Sequence, residues 1–294
     1  MGGRCCRPFC YINGIQAGYH LPDTKNMEIS LIILFFILGL SVGSFLNVCA
    51  YRIPRRESIA YPPSHCPSCG NPIKQLDNIP LLSYILLKGR CRSCGDKISL
   101  KYPVIELLTG LLWAGLYHHF GLSIQLIFGL FFATVLVVLS AIDYEVKLIP
   151  DRILLPAILI SIAFLILYPL KIASLPVIAG IKPWWAIGGF FAGGGFLYLV
   201  AILAPLIFKK EAMGGGDIKL AAFMGLYLGG YVFIALFVGF FLGAVAGVFL
   251  MAGGKRSAKD MIPFGPFLAA GAVITLFLGP QMLHAYLRIA GLAH

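Results

Sequence analysis

Asp143 and Asp217 are the residues whose type and setting could do chemistry. Asp217 stands behind three glycines in Gly214-Gly215-Gly216-Asp217-Ile218-Lys219, set between long apolar runs. Ionisable groups at or near membrane depth are costly, so function is the default reading. Glycines let the backbone turn tightly and let a neighbouring chain come close. Two readings stand for Asp217. It could N-cap the following helix, accepting from orphan N–H groups, or it could be half of a carboxylate pair. Asp143 would be the other half, in Asp143-Tyr144-Glu145-Val146-Lys147, which interrupts another apolar run. Two carboxylates in a low-dielectric site cannot both ionise easily. They share a proton, so one serves as base and the other as acid. That arrangement activates water and protonates a leaving amine. Other acids compete for the role. Asp151 follows Pro150 and reads as an N-cap; Glu145 reads as facing headgroups; Glu106 opens another apolar run with no partner visible.

A second constellation is Cys66-Pro67-Ser68-Cys69 with Cys91-Arg92-Ser93-Cys94. Each pair forms a knuckle, and four thiolates make a closed tetrahedral zinc site with no open catalytic position. The expectation is structural zinc, against disulfides or a redox dithiol. Cys49, inside an apolar run, reads as a buried core cysteine.

The elements that must position these groups are membrane helices. The 294 residues are 59% hydrophobic and only 12% charged, far too apolar for a soluble domain of this length. The sequence predicts an all-α polytopic membrane protein with about eight transmembrane helices and a small zinc-binding domain. Residues 1–28 read as an irregular lead holding Cys5, Cys6 and Cys10, with Met27 the expected natural start. Residues 29–50 form the first span. Residues 51–102 form a basic loop domain, and 103–280 the remaining spans. Within these, Asp217 starts a short sixth span that Gly229-Gly230 reverses. Residues 281–294 are a tail. Seventeen of the 23 Lys and Arg fall in segments that this topology puts in the cytosol, which places the loop domain and both aspartates at the cytosolic face. The charge of +11 is thus topological rather than a nucleic-acid signature. The histidines form no ligand pattern. The glycine run Gly188-Gly189 to Gly193-Gly194-Gly195 lies inside a span and reads as helix packing, not phosphate binding.

Several stretches together resemble the type IV prepilin peptidases, the leader peptidases of pilus and type II secretion systems. They are Gly43-Ser44-Phe45-Leu46-Asn47-Val48 with Tyr51-Arg52-Ile53-Pro54, and both Cys-x-x-Cys pairs. With them go Asn78-Ile79-Pro80 with Ser83-Tyr84, and Tyr102-Pro103 with Glu106. Ile142-Asp143 with Ile149-Pro150-Asp151, and Gly214-Gly215-Gly216-Asp217, complete the set. The resemblance implies an aspartic protease of the bacterial inner membrane with Asp143 and Asp217 as its catalytic pair. It would cut prepilin or pseudopilin precursors after a glycine, just before their apolar helix. The cysteine loop marks the form that also methylates the new N-terminal amine with S-adenosylmethionine. That cofactor is expected between the loop domain and the inner membrane surface, beside Gly89 and Glu106. The rivals for those two are a turn glycine and a helix-start acid favoured by the dipole. Two other protein classes remain open: a presenilin-like protease cutting within helices, and a transporter with a zinc-stapled domain.

Overall fold

The structure is a computed structural model that describes residues 24–167, 183–208, 214–252 and 263–291. Among these the chain is helical, with isolated β-bridges but no strand. The helices are α1 (Thr24–Arg52), α2 (Leu82–Leu86), α3 (Lys101–Phe120), α4 (Ile124–Val146), α5 (Asp151–Leu167), α6 (Pro183–Phe208), α7 (Gly215–Leu228), α8 (Val232–Ala252) and α9 (Gly265–Ile289). Most of the lead, with Cys5, Cys6 and Cys10, lies outside the described residues, as do the basic clusters at 209–210 and 255–259.

Among the described residues, five stretches are long and apolar enough to cross a membrane: α1, α4, α6, α9, and residues 215–252, which join α7 and α8. The expected count of eight is coarser in the structure for physical reasons. α3 carries Lys101, Glu106, His118 and His119, and α5 has only 17 residues. α7 has 14 residues, about 21 Å of helix, against a hydrocarbon core of about 30 Å. Two ends also differ from expectation. α1 begins at Thr24 rather than Ile29, and α9 runs through Pro280 to Ile289, so much of the expected tail is helix. Membrane helices tolerate an internal proline because neighbouring groups re-satisfy the freed carbonyl.

The short α7 is the centre of the bundle. Every residue from Leu220 to Leu228 is buried. The Phe132 ring of α4 stacks on Tyr227 at 4.4 Å, and the Tyr227 hydroxyl lies 2.8 Å from Ser161 Oγ of α5. Glycines seat α7 against α6. A Cβ on Gly189 would lie 2.3 Å from the Gly225 carbonyl oxygen. One on Gly193 would lie 2.5 Å from the Ala221 oxygen and 2.9 Å from Val232 Cγ2. Ala221 and Val232 therefore flank the same point of α6, so the chain reverses between them. Gly229, at φ +56, makes that reversal. The glycine run of α6 thus packs helices, as its place inside a span predicts.

Candidate active site and metal centre

Asp143 lies in the last turn of α4, 5% exposed. Lys147 closes that turn in the left-handed region, its N–H donating to the Asp143 carbonyl at 2.8 Å. The Asp143 carboxylate accepts from Gly265 N–H, with Oδ2 2.8 Å away. Asp217 sits in the first turn of α7, where Gly214 and not Asp217 occupies the capping position. Gly216 explains the motif's third glycine: a Cβ there would lie 2.8 Å from Ile149 Cβ. The glycine lets the start of α7 press onto the Ile149-Pro150 link between α4 and α5. That packing sets the start of α7, with Asp217 in its first turn, against the link that follows α4, whose last turn holds Asp143.

The neighbouring acids are occupied. Asp151, expected as a helix cap, takes both its oxygens to Lys219 Nζ, at 2.7 and 2.8 Å. This pair ties the start of α5 to α7 two residues from Asp217. Glu145, expected to face headgroups, is instead paired with Lys101 at the start of α3. Both pairings join distant parts of the chain, and only the motif Asp217-Ile218-Lys219 hints at the first.

The four cysteines meet. Their sulfurs all lie within 4.8 Å of one another, with Cys66 and Cys94 at 3.9 Å. Tetrahedral zinc at about 2.3 Å from each sulfur puts sulfurs about 3.8 Å apart, so the cluster fits the ion. The two knuckles repeat one another. Gly70 N–H donates to the Cys66 carbonyl and Gly95 N–H to that of Cys91, each at 2.9 Å, with both glycines at positive φ. Ser68 Oγ donates to Asp96 across them. The N–H groups of Cys94 and Ser93 bring the Cys91 thiol down to about 7. Cys94, despite the Asp96 N–H aimed at it, is pushed up to about 12 by desolvation and by the thiols around it. Four thiols this close do not all ionise unless a cation sits among them.

Between this domain and helices α1 and α3 lies a cavity of about 520 Å³, within the size range of small-ligand sites. Its lining includes Asn47, Tyr51, Asp77, Tyr84, Tyr102 and Glu106. The Arg92 guanidinium grips Asp77 through both oxygens and holds its carboxyl below the usual range. Glu106 is buried and accepts from Leu81 N–H at 2.8 Å. Asn47 Oδ1 is buried with no partner, while its Nδ2 donates to the Tyr102 carbonyl. Gly89 does not line the cavity. It turns the chain at φ +67 and touches Tyr84, whose hydroxyl would be 2.8 Å from a Cβ there. A buried carboxylate and an orphan acceptor suit a ligand carrying donors and positive charge, which S-adenosylmethionine is. Asn47 was legible only as part of a motif; its role needed the fold.

Fold and site define a helical membrane protein with a buried Asp143 in the last turn of α4, a half-buried Asp217 in the first turn of α7, and a four-thiol cluster in its loop domain. Residues 37–120 match the Bacterial Peptidase A24 N-terminal domain, and residues 130–248 match the type IV leader peptidase family. The chain belongs to the type IV leader peptidase family. It is 34% identical over 258 residues to a prepilin leader peptidase/N-methyltransferase of Bacillus subtilis, covering 87% of this chain and 98% of that one. Proteins of the same name are similar from Stutzerimonas stutzeri, at 33% identity over 90% of this chain and 96% of the relative, and from Pseudomonas aeruginosa, at 32% over 92% and 98%. No solved structure matches the chain.

Proposed function

We propose that this protein is a bacterial inner-membrane prepilin peptidase. It cuts the leader from type IV prepilin or pseudopilin precursors after a glycine and N-methylates the residue so exposed. The observation that carries the reading is the placement of Asp143 in the last turn of α4 and of Asp217 in the first turn of α7, the helix that packs on the link following α4. In the bilayer the chain makes eight crossings, with the zinc domain and both aspartates at the cytosolic face. The substrate's apolar helix stays in the membrane and presents its junction with the leader there.

The two carboxylates share one proton. The ionised one takes a proton from water as the oxygen attacks the scissile carbonyl. The protonated one gives its proton to that carbonyl oxygen. On collapse the protonated aspartate gives its proton to the departing nitrogen while the ionised one takes a proton from a hydroxyl of the tetrahedral intermediate, so the pair again holds one proton for the next water. Cys66, Cys69, Cys91 and Cys94 would hold a zinc ion that would fix the loop domain's fold. S-adenosylmethionine, when bound, supplies an electrophilic methyl group. Glu106 and Asn47 would hold it in the cavity, with Gly89 supporting the Tyr84 wall. The Lys101–Glu145 pair links a cavity-lining residue to the turn that holds Asp143.

The experiment is to incubate the purified protein in detergent with a prepilin and S-adenosylmethionine, and to read the product's N-terminus and mass. A single cut after glycine at the leader junction, with an added methyl group, is expected. A cut inside the apolar helix would indicate the presenilin-like reading instead. No cut by folded, metal-loaded protein would favour a transporter.

A further inference from the structure

Helix α9 carries neither aspartate, yet it touches Asp143. The first four N–H groups of a helix lack intrahelical partners. The N–H of Gly265, the first residue of α9, spends that freedom on Asp143 Oδ2 at 2.8 Å. A Cβ on Gly265 would stand 2.9 Å from that oxygen and 3.2 Å from both Cβ and Cγ of Asp143. Gly265 is not among the glycines at positive φ, so the backbone does not demand glycine there; the space does. The N–H is fixed from the far side. The Phe264 ring stacks on Phe240 of α8 at 5.3 Å, in a groove where a Cβ on Gly243 would lie 3.0 Å from it. Pro266 presets the first helical turn. Further along, α8 and α9 approach closely at Gly271, where a Cβ would lie 2.2 Å from the Ala235 oxygen.

We propose that Gly265 is a positioning residue for peptide cleavage: its amide and its missing side chain fix the Asp143 carboxylate, and the α8–α9 pair is the third support of the site. This rests on the reading of Asp143 as catalytic. With Oδ2 held by the amide, Oδ1 is the oxygen left to meet Asp217 and water. An alanine at 265 pushes the carboxylate off this bond, and residue 265 is not in the lining of the cavity under the zinc domain.

The test uses the full-length protein in detergent. Gly265→Ala is expected to lower kcat for prepilin cleavage by about tenfold or more, as a displaced catalytic group does. KM should stay within about twofold, and methyl transfer to a pre-cleaved pilin peptide should be unchanged. Asp143→Asn is measured beside it. If Asp143→Asn still cleaves, the catalytic reading falls. If Asp143→Asn is inactive but Gly265→Ala cleaves at the parent rate, the positioning role falls. A stability cycle keeps the proposal testable even where Gly265→Ala folds poorly. Removing the carboxylate removes most of the clash, so Gly265→Ala should lower Tm less in an Asp143→Ala background than in the parent. Equal loss in both backgrounds overturns the proposal.

Discussion

Gly189→Ala and Gly188→Ala are neighbouring substitutions on α6 that should have opposite effects. A Cβ on Gly189 would stand 2.3 Å from the Gly225 carbonyl oxygen and 2.6 Å from Gly229 Cα, while one on Gly188 meets nothing within 4 Å. Ordinary contact begins near 3.4 Å, so α6 and α7 would have to part by about 1 Å. The opposing atoms are backbone and cannot rotate away. Overpacking of this kind costs about 1–3 kcal/mol, which for a chain of this size lowers Tm by about 2–4 °C per kcal/mol. The same shift moves α7, and Asp217 with it. A misplacement of about 1 Å can cost about 100-fold in rate. Gly188→Ala replaces an exposed mid-helix glycine and should be neutral, or stabilising by at most about 1 kcal/mol. The assay is thermal unfolding in detergent together with prepilin cleavage for both variants. Equal behaviour of the two would show that α6 does not pack on α7 through its glycine face.

The remaining expectations concern the metal, the cavity and the ion pair near Asp217. Elemental analysis should find about one zinc per chain, and Cys66→Ser should lose it and make residues 53–100 protease-sensitive; a metal-free loop domain that stays protected would count against the zinc site. Glu106→Gln should lose most methyl transfer while cleavage persists; folded protein that loses both activities together would undo the division between cavity and acid pair. Asp151→Asn should keep most cleavage, because its pair with Lys219 is half exposed and such pairs contribute about 0–1 kcal/mol; a cleavage loss matching that of Asp217→Asn would give Asp151 a direct role.

Much of the site was legible because its residues announce themselves locally. A carboxylate behind three glycines and two Cys-x-x-Cys pairs stand out in an apolar sequence, and the structure brings the four thiols together. The helices were legible from apolar length, although Thr24 and Ile289 extend two of them past the expected ends. What the sequence hid are contacts between residues far apart in the chain. Asp151 looked like a cap because a helix starts there; its real partner, Lys219, comes from another helix. Glu145 looked like a headgroup contact because Lys101 lies in a different segment. Gly265 gave only the weak sign of a glycine before a proline at a helix start. Its task, leaving room for Asp143, exists only once α4 and α9 are packed. Glu106 was found by type and position, but Leu81, which holds it, sits in an irregular segment with no periodicity to read.

The most direct test of the carboxylate pair is cleavage of a prepilin by Asp143→Asn and by Asp217→Asn, each checked for folding by its Tm and by methyl transfer to a pre-cleaved peptide. Asparagine caps a helix about as well as aspartate but cannot share a proton. Both variants should therefore fold and methylate while leaving the prepilin uncut. Substantial turnover by either folded variant would contradict the account and reduce that aspartate to a structural residue.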